Sequence, residues 1–200
     1  MRTTGGHVAT LLTMLGATAA AGDFTVELRD AAGKPLANAV VYVTAKTAAS
    51  APAAPPHARA SIDQIDKEFV PRVSIVQAGT EIQFPNSDNI RHSIYSFSPA
   101  KTFTTKLYSG REAAPVLFDR SGLVVLGCNI HDQMVAWLYV VDTPWFAKSG
   151  ADGTATIRAL PPGDYRLTAD SPEDQLAATE SDVKIDAAPS RQLVTLKAGA

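Results

Sequence analysis

Cysteine is all but missing: Cys128 is the only one in 200 residues, so no internal disulfide can brace this chain. Charge is scarce as well. Lysine and arginine number 18 against 20 aspartates and glutamates, a net charge of -2, and so even a balance offers no attraction to a polyanion. Nucleic acid is excluded as a partner. Extended stretches of helix formers at a 3.6-residue period are few, and the apolar run at residues 8–15 is too short to span a bilayer. What is abundant is valine, threonine, glycine and proline. With 46% hydrophobic content there is material for one full core or two small ones, and the composition favours strands joined by turns. An all-β protein is expected.

The N-terminal apolar run belongs to a segment with the layout of an export signal. Arg2 precedes it, and Ala17-Thr18-Ala19-Ala20-Ala21 supplies the small residues a signal peptidase needs. Residues 1–22 are therefore expected to be removed on export to the periplasm, leaving no membrane span. Removal also takes Met1, Met14 and His7, so Met134 would be the only methionine of the mature chain. In an oxidising compartment a single free thiol is a liability, and metal ligation resolves it.

Along the chain, Phe24-Thr25-Val26-Glu27-Leu28 alternates at period two, and Ala39-Val40-Val41-Tyr42-Val43 follows a turn at Gly33-Lys34-Pro35. Residues 46–60 are rich in alanine and proline, a linker or loose loop, with His57 solvated in it. Strand-like alternation resumes near Ser61 and recurs at residues 92–97, 103–108, 116–118, 123–126 and 135–141, then in short strands to the C-terminus. Gly33-Lys34-Pro35-Leu36-Ala37-Asn38-Ala39-Val40-Val41, together with Ala151-Asp152-Gly153-Thr154-Ala155-Thr156-Ile157 and Leu160-Pro161-Pro162-Gly163-Asp164-Tyr165-Arg166-Leu167, resembles the carboxypeptidase-regulatory-like, or prealbumin-like, β-sandwich. Those pieces are nearly contiguous in that family. The resemblance implies that residues 23–45 and 147–200 build a small sandwich with residues 61–146 inserted between its halves; one larger continuous sandwich is the rival arrangement.

The scarce soft side chains are not scattered. Gly127-Cys128-Asn129-Ile130-His131-Asp132-Gln133-Met134 sets a thiol, an imidazole and a thioether at spacings of three residues, and His92 follows the turn-rich Pro85-Asn86-Ser87-Asp88-Asn89. Singly, a buried cysteine is a small apolar side chain and a lone methionine is filler. Together they form the donor set of a blue-copper electron-transfer centre, a thiolate and two imidazoles with a weak thioether. His92, Cys128, His131 and Met134 are the candidate ligands. Ser93, Asn86 and Asn129 are candidates for holding them in place, Ser93 by a hydroxyl bond to the cysteine loop.

These motifs, with Phe69-Val70-Pro71 and Gln77-Ala78-Gly79-Thr80, resemble a plastocyanin-type cupredoxin, a Greek-key β-sandwich. Phe84-Pro85-Asn86-Ser87-Asp88-Asn89-Ile90-Arg91-His92, Tyr95-Ser96-Phe97-Ser98 and Leu126-Gly127-Cys128-Asn129-Ile130-His131-Asp132 most resemble bacterial exported proteins named for methylamine utilisation. Ser93 stands where many of that group have a second histidine, and Gly127 where cupredoxins often have an aromatic residue. The resemblance implies one type 1 copper and single-electron transfer, with a c-type cytochrome or a dehydrogenase as redox partner; with no nucleophile–base pair and no open coordination position in the donor set, catalysis is not expected. Copper carriage, and a binding module with a structural metal such as zinc, are the alternatives the donor set leaves open.

Overall fold

The alternation of residues 24–28 becomes a strand whose Phe24, Val26 and Leu28 point into a core while Thr25 and Glu27 point away. The computed structural model describes residues 21–47, 52–109 and 113–199; most of the expected export signal and part of the alanine- and proline-rich stretch lie outside them. In chain order the strands are β1 (Gly22–Arg29), β2 (Val40–Ala45), β3 (Arg59–Ser61), β4 (Asp63–Ile65), β5 (Glu68–Val70), β6 (Val73–Gln77), β7 (Thr80–Gln83), β8 (Ile94–Ser98), β9 (Lys101–Thr104) and β10 (Val116–Phe118). They continue as β11 (Gly122–Cys128), β12 (Val135–Val141), β13 (Phe146–Lys148), β14 (Thr154–Leu160), β15 (Gly163–Asp170), β16 (Leu176–Ala177), β17 (Thr179–Ile185), β18 (Ser190–Thr195) and β19 (Lys197–Ala198). There is no helix among the described residues, hence none long and apolar enough to cross a membrane.

Strands from both ends of the chain pair with each other. One sheet has the order β14-β1-β18 and the facing one β13-β2-β15-β17, and Phe24, Val26, Leu28, Val41, Val43, Ile157, Tyr165, Leu167 and Ile185 fill the space between them. At its edge Gly153 adopts a left-handed φ of 77°, and a Cβ there would stand 2.5 Å from the Leu28 carbonyl oxygen. Only glycine fits that turn.

The strands between β2 and β13 form sheets of their own. A five-stranded sheet, β6-β12-β11-β8-β9, faces a three-stranded one, β10-β7-β3, with the β4-β5 hairpin beside them. Between the sheets lie Phe84, Phe118, Ile82, Ile94, Leu126 and Leu138, and Cys128 and Met134 belong to the same core. The chain is thus all-β, one sandwich set within another. β3 begins at Arg59, inside the last residues of the alanine- and proline-rich stretch, because Arg59 and Ala60 pair with Glu81 and Ile82.

β12 is apolar on both faces because both are covered. Its inner side chains join the core, while Tyr139 and Trp137 on the outer face pack with Ile75 and Val73 against Val40 and Tyr42 of the flanking sandwich. The Tyr139 hydroxyl donates to Asp170 at 2.7 Å and the Lys148 ammonium to the Val73 carbonyl at 2.9 Å. It is therefore Tyr139 and Trp137 that cover the junction. Trp145 instead stacks edge-on against Tyr165 in the flanking core.

Candidate metal centre

β11 carries Cys128 as its last residue, so the cysteine is held in a ladder rather than lying in the loop it opens. Cys128 pairs with Ile94 and Gly127 with Tyr95, and the Asn129 amide extends the ladder by donating to the Ser93 carbonyl at 3.0 Å. This register sets Cys128 beside the start of β8. His92 lies just before that strand, its backbone fixed by a reciprocal pair of 3.0 Å bonds with Tyr108. His131 comes from the turn after β11, closed by the Met134 amide donating to the His131 carbonyl at 3.0 Å.

These elements bring three donors together. One ligand atom from each of His92, Cys128 and His131 lies within 4.8 Å of the others. Cys128 Sγ is 3.6 Å from His92 Nδ1, and the imidazole rings are 5.2 Å apart at 60°. His92 is 0% and Cys128 2% exposed. Met134 is buried in the same core, whereas Asp132 and Gln133 face solvent.

A small metal ion fits this set by two independent tests. Bonds of about 2.3 Å to sulfur and about 2.0 Å to nitrogen, at tetrahedral to trigonal angles, separate two ligand atoms by roughly 3.5–3.7 Å, which matches the observed Sγ–Nδ1 distance. His131 Nδ1, moreover, is buried with no hydrogen-bond partner. A buried polar atom left so costs about 1–3 kcal/mol, and coordination of the ring is one way to recover it.

The tautomer of His92 is set by a residue that sequence reasoning missed. His92 Nε2 is 2.8 Å from Asp88 Oδ2, so Nε2 carries the proton and Nδ1 turns its lone pair toward the cysteine. Asp88 is itself fixed. It accepts the amides of Asp66 and Lys67, each at 2.9 Å, at a hairpin tip where both residues are left-handed, φ 52° and 62°. Burial works against its charge, but the Lys67 amide, the His92 ring and the Asp66 amide outweigh it and hold the carboxyl below its ordinary value. The four-residue spacing to His92 was the only signal in the sequence, hidden in a string of turn formers.

The other supporting residues close the ring of bonds. Asn86 donates to the carbonyls of Ile90 and Tyr108, at 2.9 and 3.0 Å, and accepts the Asp88 amide at 3.0 Å. The Ser93 hydroxyl donates to the Thr105 carbonyl at 2.9 Å and accepts from Asn129 Nδ2 at 3.0 Å, which ties the His92 segment to the cysteine loop. Beneath them the Tyr108 hydroxyl donates to the Phe84 carbonyl at 2.7 Å. Burial, against the opposing bond from Gln64, pushes that phenol up to about 12.

No protein-family model and no curated protein matches the chain. Among solved structures it is similar to a copper-containing nitrite reductase from Thermus scotoductus SA-01, at 20% identity over 48% of this chain and 25% of that one, with a TM-score of 0.39. A purple cupredoxin from Nitrosopumilus maritimus is similar at 20% identity over 40% and 98% of the two chains, TM-score 0.37. Pseudoazurin from Methylobacterium extorquens AM1 is similar at 24% identity over 42% and 76%, TM-score 0.37. The chain spans about a quarter of the nitrite reductase, and at these identities and scores the likeness assigns no ligand, partner or activity.

Proposed function

We propose that the protein is an exported type 1 copper protein that carries single electrons between periplasmic redox partners, with His92, Cys128 and His131 as its principal ligands and Met134 as a weak fourth. The observation that carries this reading is the buried thiol 3.6 Å from the lone pair of His92 Nδ1, beside a second imidazole whose buried nitrogen has no other partner. Copper, when bound, supplies a one-electron couple. The protein supplies a donor set already assembled: Asp88 orients His92, Ser93 and Asn129 join the two ligand segments, and the core around Cys128 and Met134 excludes water. Fixed donors suit electron transfer, since little has to move when the charge changes. A thioether as the remaining donor suits copper better than zinc. A c-type cytochrome or a dehydrogenase is the proposed partner, and the N-terminal segment the proposed export signal.

The test is to add Cu(II) to the purified protein and record visible and electron spin resonance spectra, with Cys128→Ala beside it. An intense blue or green band in the wild type that is missing from the variant is expected. A colourless protein that binds only Cu(I) would turn the reading to copper carriage, and failure to bind copper would end both.

A further inference from the structure

Where the two sandwiches meet, Tyr139 and Tyr42 do not fill all the space between them. Beside these rings lies a cleft of about 450 Å³, within the roughly 300–1,000 Å³ typical of small-molecule sites, which favour such junctions. Register builds its walls. Tyr42 pairs with Thr168 across β2 and β15; Leu167 and Ala169 point into the flanking core, so Thr168 and Asp170 turn the other way, toward the cleft. Opposite them Leu123 pairs with Tyr139 across β11 and β12, and Asp142 follows the end of β12 at the rim. Two phenol rings, a leucine, a hydroxyl and two carboxylates thus share one concave surface.

The charge of that surface is of one sign. Asp142 and Asp170 both line the cleft and no basic side chain does. The bases nearest in register are already taken: Lys46 binds Asp182 at 2.6 Å, and Arg166 binds Asp182 at 2.9 Å and Glu180 at 3.3 Å. Burial, with the bond and charge of Asp170 behind it, pushes the Tyr139 phenol well above its ordinary value, so the phenol keeps its proton and stays a donor to the carboxylate. Thr168 is 9% exposed. Its hydroxyl, turned into the cleft with no side-chain bond to another described residue, offers an occupant a further acceptor. We propose that this cleft binds a small organic cation, an alkylammonium whose charged head lies against Asp170 and Asp142 and whose carbon chain lies on Tyr42, Tyr139 and Leu123. An aromatic face attracts a cation through its quadrupole, most strongly where water is partly excluded, and the carboxylates add their charge. A bare divalent ion suits the cleft less, since it asks for oxygen on every side and rings and a leucine occupy much of this wall. An anion meets only like charge. The site lies at the junction and does not depend on a metal at Cys128.

The probe is butylammonium chloride, titrated into the purified, isotope-labelled protein and followed by amide NMR shifts. Potassium chloride at the same ionic strength and n-butanol, which has the same carbon chain without the charge, are titrated beside it. Saturable shifts at Tyr42, Thr168, Leu123 and Tyr139 are expected with butylammonium, and binding of butanol weaker by about tenfold, the worth of a bond to a charged group. Asp170→Asn keeps an acceptor for Tyr139 but loses the charge, and should weaken butylammonium binding by a similar factor. Asp142→Asn, at an exposed position, should weaken it several-fold with an unchanged melting temperature, so it decides the matter even if Asp170→Asn does not fold. Tyr42→Leu keeps an apolar wall and removes the ring; it should lower the affinity for butylammonium more than that for butanol. Equal binding of butanol and butylammonium would make the cleft an apolar slot and overturn the proposal. So would wild-type affinity in Asp142→Asn and Asp170→Asn, or shifts that match those of potassium chloride alone.

Discussion

His92 and His131 reach the same cysteine from opposite kinds of structure. His92 is fully buried, its backbone bonded to Tyr108 and its Nε2 to Asp88. His131 sits on a turn beside Ile130, which is 52% exposed, and its Nδ1 has no partner. One ring is positioned by the fold; the other carries a buried nitrogen that no protein group satisfies. A satisfied core histidine would look like His92 alone. The unsatisfied ring facing it is what supports the proposed binding site.

This contrast can be broken first by deletion. His92→Ala should destabilise the metal-free protein by about 3 kcal/mol, as for other large-to-small changes in a core, because it empties a packed site and leaves Asp88 without its partner. His131→Ala should cost less than about 1 kcal/mol, since it removes an unsatisfied group as well as a ring. Urea denaturation of both metal-free variants measures the difference, and equal losses would erase the distinction. Both variants should lose the visible band.

Asp88→Asn comes next. The amide oxygen can still accept from His92, but the charge that fixes the tautomer is gone, and metal affinity should fall about 10–100-fold in a chelator competition. Unchanged affinity would reduce Asp88 to a brace for the β4-β5 hairpin.

Ser93→Ala cuts the tie between the two sides and should cost about 1 kcal/mol while shifting the reduction potential. A variant with wild-type potential would show that the ligand segments hold their places without it.

The smallest effect is on the alkaline side. Tyr108 rises from 10.0 to about 12 when folded, so its contribution to stability is fully present below pH 10.0 and is lost as the pH climbs through about 12. Tyr108→Phe should flatten that loss in the metal-free protein. An alkaline limb identical to wild type would show that Tyr108 does not link the His92 segment to pH.

The fold was legible where one face of a strand is buried, because burial there imposes period two: β1 follows the alternation throughout, and β14 follows it until a bulge at Arg158 and Ala159. β12 reads as a plain apolar run, and only the flanking sandwich explains why its outer face is apolar as well. The donors were legible as rare residue types at tight spacing. Asp88 was not, since a carboxylate among turn formers looks like part of the turn. The close packing of Tyr95 on Gly127 was not either, since it depends on the register between two different strands.

The most direct measurement is X-ray absorption at the copper edge on the loaded wild-type protein. One short bond to sulfur and two to imidazole nitrogen are predicted, with the sulfur scattering absent from Cys128→Ala. A shell of nitrogen and oxygen alone would contradict the account.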